Sequence, residues 1–427
     1  MNTKVRLSIM NFLQFAVWGS YLTSMGSYLV QVGLGNHIGI FYAMQGIVSI
    51  FMPALTGIIA DRWIPAQRMQ GLCHTIAGLF MLTAGYYGMG NAPEGVAFGI
   101  LLSLYAVSVA FYMPTLSLTN SVSYYILDSV GMDAVKTYPP IRIFGTIGFI
   151  CSMLAVDALG LQSSSLQFCI SGGLSILLAL YTLTLPHCPT NSSSQKKSLA
   201  EALGLRAFAL FRRRKMAIFF LFSTMLGVSL QITNGFANPF ITSFKALPEY
   251  ASTFGVNHAN ALISISQCSE TLCILLIPFC LKRFGIKKVM LIAMFAWVLR
   301  FGLFGLGNPG NGVWMFILSM IVYGVAFDFF NVSGSLFVDK ETHNELRSSA
   351  QGLFMMMTNG IGATIGTLGA QWVVNRFTYP SPDYGGLLLG DWDTVWFIFA
   401  TYALIVGVTF AIVFKDDHTP KGTTENA

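Results

Sequence analysis

An all-α polytopic membrane protein, with twelve transmembrane helices in two six-helix halves, is the fold class this sequence predicts. Three observations predict it. Of 427 residues, 54% are hydrophobic and only 10% charged, whereas a soluble domain carries about a quarter charged residues. The apolar residues come in blocks of roughly twenty or more, the length of helix that spans a hydrocarbon core. Basic residues collect at alternate connections between those blocks. This placement explains the net charge of +6, which therefore does not point to nucleic acid. Lys245 and Arg376 fall in connections read as outside, and Arg142 and Arg300 within spans. The other basic residues lie at the termini or on one side, among them Arg62, Arg68, Lys136, the run Arg212–Lys215, Lys282, Arg283, Lys287, Lys288, Lys340 and Arg347. The positive-inside rule then puts both termini in the cytoplasm, which requires an even number of spans.

The first block, 7–30, follows a basic flank in "MNTKVRLSIMNFLQFAVWGSYL", as in a signal peptide. No small-residue cleavage site closes a short apolar region, so an uncleaved first helix is expected. Spans at 38–60, 69–90, 96–122, 138–160 and 166–186 complete the N-terminal half, 1–186. The longest internal connection, 187–215, begins "PHCPTNSSSQKK", polar and Ser-rich, and reads as a linker. It continues "SLAEALGLRAFALFRRRK", where Ser198 and Glu201 stand at capping-box spacing before an amphipathic run. This is a short helix on the cytoplasmic leaflet or a solvated basic loop. Spans at 216–243, 258–281, 288–308, 312–338, 347–375 and 391–414 form the C-terminal half, 216–414, and 415–427 a cytoplasmic tail. Cys73, Cys151, Cys268, Cys273 and Cys280 sit within or at the edges of spans and form no metal-like cluster. They read as packing residues outside any disulfide.

Ionisable residues deep in a bilayer are costly and mark pathways, proton relays or helix-to-helix bonds. Here they are Glu270, Asp328, Arg142 and Arg300, with His74 the one histidine well inside a span. Arg300 reads as a structural ion pair or a snorkelling side chain, and His74 as packing with one hydrogen bond. Asp157 and Asp339 stand close to span ends and are expected to reach the interface. Helical spacing groups their neighbours. Gln267 and Glu270 share a face of span eight, and Gln231 and Asn234 a face of span seven. Tyr323 and Phe327 align on span ten, and Arg142, Thr146 and Phe149 on span five. One such face could be interhelical glue, but four together suggest a polar cavity. Its carboxamides suit the edge of a nucleobase or hydroxyls, and its flat rings suit stacking. A sugar would fit nearly as well.

The longer motifs carry a resemblance. "FLQFAVWGSYLTSMGSYL", "PPIRIFGTIGFI", "YTLTLPHCP", "MAIFFLFSTMLGVSLQITN", "SISQCSETLCILLIPF" and "MIVYGVAFDFFNVSGSLFV" resemble the bacterial nucleoside:proton symporters of the major facilitator superfamily. The six-loop-six layout and "GIIADRWIPAQRMQ", similar to the superfamily's signature loop after helix two, agree. The resemblance implies a multi-pass protein of the bacterial cytoplasmic membrane. It would take up nucleosides on the proton gradient without a cofactor; a monomer is expected separately, as the resemblance does not bear on oligomeric state. It also implies a substrate site near the midplane between the halves, made by Arg142, Thr146, Phe149, Gln231, Asn234, Gln267, Glu270, Tyr323 and Phe327, with Asp328 matching beside them. The loops "VQVGLGNHIG" and "RFTYPSPDYGGLLLGDWD" depart from the family, and the preference among purine, pyrimidine and xanthosine-type nucleosides stays open.

Asp328 follows Phe327 by one residue and so points about a hundred degrees away from a ligand stacked on that ring. It is assigned to gating or coupling, and Glu270 to both ribose contact and proton binding. The alternative is a proton-coupled symporter of another polar solute such as a sugar. An intramembrane enzyme is disfavoured, because the sequence offers no metal cluster, no nucleophile with its base and no sizeable soluble domain.

Overall fold

The computed structural model describes residues 2–188, 190, 205–342 and 347–414. The capping box at Ser198 and Glu201, the start of the amphipathic run and the tail 415–427 lie outside the described residues; Leu205–Arg212 forms a 3-10 helix. Helices dominate: α1 Thr3–Gly19, α2 Met25–Gln31, α3 Ile38–Arg62, α4 Ala66–Gly90, α5 Phe98–Ser129, α6 Ala134–Ala158 and α7 Leu166–Thr182. After residue 205 come α8 Arg214–Leu230, α9 Ile232–Ser243, α10 Ala259–Leu306, α11 Val313–Glu341, α12 Arg347–Met355, α13 Ala363–Phe377 and α14 Trp392–Val413. Among the described residues, seven helical stretches are long and apolar enough to cross a membrane.

Several blocks that read as continuous helix are interrupted. The first breaks at Ser20–Ser24 between α1 and α2, where the Tyr42 hydroxyl donates to the Leu22 carbonyl. The seventh breaks at Gln231 between α8 and α9. The eleventh carries a π-helical segment, Met356–Gly362, between α12 and α13. The connection between the spans expected at 258–281 and 288–308 is very short: helical backbone runs through α10 except at Gly285, whose φ of 76° favours glycine and breaks α10 into two helices. The all-α expectation also needs an amendment. Before α14, strands β1 Thr378–Ser381 and β2 Leu387–Gly390 pair antiparallel, with Thr378 opposite Gly390. Asp391 then caps α14, and the Thr394 hydroxyl and backbone amide bonded to it hold its carboxyl below the usual carboxylate range.

Helix α1 packs on α6 and α7, and α4 on α5 and α7; later in the chain α11 and α14 pack on α10. Aromatic rings fill the C-terminal core, with Trp396 stacked on Phe304 at 4.7 Å and Phe240 edge-on to Trp396 at 5.3 Å. All seven cysteines are free, though Cys151 and Cys268 are exposed rather than packed.

Candidate functional site

Small residues bring the chemistry-bearing helices together. A Cβ at Gly148 would stand 2.1 Å from the Phe12 carbonyl oxygen, and one at Gly19 would stand 2.3 Å from that of Phe149. Only glycine lets α1 and α6 approach so closely, and this seats Phe149 beside Trp18, edge-on at 6.3 Å. A Cβ at Gly324 would stand 2.6 Å from the Ser269 backbone. The Ser269 hydroxyl also donates to the Ile321 carbonyl, so α10 and α11 are locked where Glu270 and Tyr323 lie.

Five of the predicted residues are linked there. Arg142, half-buried on α6, lies over the Phe15 ring at 3.8 Å and attracts Glu270 on α10. Glu270 interacts electrostatically with Asp328 and Tyr323. Tyr323 stacks on Phe327 at 5.6 Å and 17°. Thr146 and Gln267 are half-buried, one turn from Arg142 and three residues from Glu270. Gln231 and Asn234 form a pair of their own at the break between α8 and α9, where Asn234 Nδ2 donates to Gln231 Oε1 at 2.8 Å. Asp328 follows Phe327 on α11. It is buried, its Oδ2 has no hydrogen-bond partner, and it shares the field of Glu270. Two carboxylates and one guanidinium thus lie within one another's electrostatic reach, near a stacked aromatic pair.

Two expectations need correction. Arg300 is neither ion-paired nor snorkelling: it is buried, and among the described residues no carboxylate pairs with it. His74 makes two contacts rather than one, Nε2 lying 2.8 Å from Gln14 Oε1 and Nδ1 2.9 Å from Ser175 Oγ. Asp157, at the end of α6, is buried; its Oδ2 stands 2.8 Å from His258 Nδ1, and Gln162 Nε2 donates to its other oxygen.

Sequence reasoning missed Phe15 and Trp18, which look like ordinary core aromatics in an apolar run. It also missed a clasp of amides. Asn238 Nδ2 donates to Gln162 Oε1 at 2.9 Å and to Asn260 Oδ1 at 2.8 Å, while Ser27 Oγ donates to Asn238 Oδ1 at 2.6 Å. Thr23 Oγ1 donates to Asn260 Oδ1 at 3.0 Å. Nearby, the Gly39 amide donates to Gln371 Oε1, and Asn375 Nδ2 to the Asn36 carbonyl. Among the described residues, the hydrogen bonds joining α1–α7 to the later helices all lie at this end, beside the connections near 31–38, 158–166 and 244–259 and before α14. No group of three or more His, Cys, Asp or Glu suited to a metal occurs among the described residues.

Comparison with known proteins gives a consistent result. The family model described as Nucleoside H+ symporter matches residues 1–419. The chain is 48% identical to the nucleoside permease NupG of Escherichia coli (strain K12) over 428 residues, 99% of each sequence. It is 47% identical to the xanthosine permease of the same organism, covering 99% of this chain and 98% of that one. The crystal structure of nucleoside transporter NupG superposes with a TM-score of 0.87 at 47% identity, covering 98% of this chain and all of the other.

Proposed function

The chain belongs to the nucleoside H+ symporter family, and from that premise we propose that nucleoside and proton bind together at the Glu270 cluster and cross by alternating access. The protein is a multi-pass transporter of the bacterial cytoplasmic membrane that takes up nucleosides with protons. Twelve crossings with both termini cytoplasmic are the topology proposed for it, in the major facilitator arrangement of two six-helix halves. Basic-residue placement favours it, and so does α10. Its 48 residues would measure about 72 Å if straight, more than twice the ~30 Å hydrocarbon core. Folding at Gly285 makes two crossings of it.

The observation that carries the mechanism is the electrostatic coupling of Arg142, Glu270, Asp328 and Tyr323. Both carboxylates charged leave this group with one negative charge in excess of Arg142, and one proton removes it. Glu270, on the same face as Gln267, is the group assigned to proton loading and ribose contact. Tyr323, Phe327 and Phe149 provide stacking faces, and Gln231, Asn234, Gln267 and Thr146 the amide and hydroxyl partners. Asp328, whose Oδ2 has no partner, is assigned to gating, because a buried unpaired oxygen favours any rearrangement that gives it a donor. Each proton entering down about 100 mV contributes roughly 2.3 kcal/mol, enough to concentrate a solute some fiftyfold.

In this topology the amide clasp joins the outer ends of the halves, so the present form is closed outside. A monomer suffices, since every group assigned belongs to one chain. The test is uptake of radiolabelled uridine into proteoliposomes under an imposed pH gradient, with adenosine, xanthosine or xylose as competitors. Accumulation that collapses with a protonophore, that nucleosides but not xylose suppress, and that delivers intact uridine supports the reading. Competition by xylose alone would favour a sugar transporter, and converted uridine an enzyme.

A further inference from the structure

A buried arginine ordinarily faces a carboxylate, because an uncompensated charge at membrane depth is costly. Arg300 does not. Its Nη1 donates to the Ser319 carbonyl at 2.8 Å and lies 3.5 Å from Ser266 Oγ. Ser319 Oγ donates back to the Arg300 carbonyl at 2.9 Å. The guanidinium carbon sits 4.5 Å from the Tyr323 ring centroid and 5.4 Å from that of Phe304. Nε is buried without a partner. The charge is thus satisfied by two ring faces and a carbonyl.

The placement matters because of what the rings do. Tyr323 is held by Arg300, met edge-on by Trp297 at 6.0 Å and stacked on Phe327. Ser266 immediately precedes Gln267 on α10, and Ser319 stands one turn before Tyr323 on α11, so one guanidinium bridges the two helices beside both residues. A desolvated cation over a tyrosine face is among the stronger side-chain contacts of this kind. Arginine also offers planarity that lysine lacks.

We propose that Arg300 is a positioning residue for nucleoside recognition: by stacking on Tyr323 and bonding Ser319, it fixes the Tyr323–Phe327 aromatic face relative to Gln267 and Glu270. It touches no substrate. This rests on the reading that Tyr323 faces the nucleoside, and the test separates the two.

The experiment is a double-mutant cycle on the full-length purified protein, with uridine binding measured by calorimetry for the parent, Arg300→Met, Tyr323→Leu and the double variant. Thermal unfolding in detergent establishes that each variant is folded. Arg300→Met should weaken binding about tenfold, in line with loss of a desolvated cation–π contact. The double variant should bind no more weakly than Tyr323→Leu alone, since Arg300 acts only through that ring. Additive losses in the double variant overturn the proposal, as does parental binding by Arg300→Met. If Arg300→Met does not fold, Arg300→Lys takes its place in the cycle and is judged by the same non-additivity. Parental affinity in Tyr323→Leu would instead sink the reading of the site itself.

Discussion

Replacing Asn238 with leucine, nearly isosteric, should open the clasped end of the molecule. Asn238 is fully buried on α9 and bonds Gln162 and Ser27, both in the first half of the chain, as well as Asn260 in its own half. Two of those bonds cross between the helix groups. Each contributes about 1 kcal/mol net, and stranding a buried partner costs about 1–3 kcal/mol. Ser27 has a fallback, since Thr242 Oγ1 lies 3.4 Å away; Gln162 keeps its bonds to Asp157 and the Asn257 carbonyl. The expected bias is therefore about 2–3 kcal/mol against the clasped form, roughly a 30- to 150-fold change in the equilibrium. Pulsed electron resonance would read it, with spin labels at Leu159 and Phe254, each 65% exposed and flanking the clasp. Exposed Cys151 and Cys268 would first be replaced by serine. The variant should show a second, longer distance population that the parent lacks. An unchanged distance distribution, together with parental uptake, would refute the assignment of these amides to a gate.

The two carboxylates should fail differently. Glu270→Gln fixes a protonated-like state, so it should bind uridine yet lose accumulation against a gradient; Asp328→Asn should bind but transport poorly, because its bias between states is altered. Paired binding and proteoliposome uptake check this, and accumulation by Glu270→Gln would reverse the roles. Gln267→Ala should weaken uridine binding roughly tenfold, as expected for a buried polar contact, and calorimetry that finds parental affinity would displace Gln267 from the site. Gly324→Val should lower the thermal unfolding temperature and abolish uptake, since even a Cβ would stand 2.6 Å from the Ser269 backbone; a folded, active variant would show that α10 and α11 can separate there.

What the chain shows in one dimension is what bilayer physics acts on locally. Hydrophobic blocks and basic flanks revealed the helical, membrane-crossing class, because a backbone in lipid must bond to itself and charge must stay out. Helical spacing correctly grouped Tyr323 with Phe327, because both lie on α11 and its pitch is constant, and Gln231 with Asn234, because Gln231 is the N-cap of α9 and Asn234 stands in its first turn. Hydropathy was blind to the breaks at Ser20–Ser24 and Gln231 and to the π segment at Met356–Gly362, since an interrupted helix is as apolar as a continuous one. Arg300 was misjudged for a further reason: its partners come from elsewhere along α10 and from α11, and an arginine's sequence context does not say whether a carboxylate or a ring will meet it. The clasp is the extreme case. Ser27 and Asn238 are 211 residues apart, each an unremarkable polar residue in its own helix. Only the packing of one helix group against the other decides that they touch, because a hydrogen bond forms over about 3 Å in space whatever the distance along the chain.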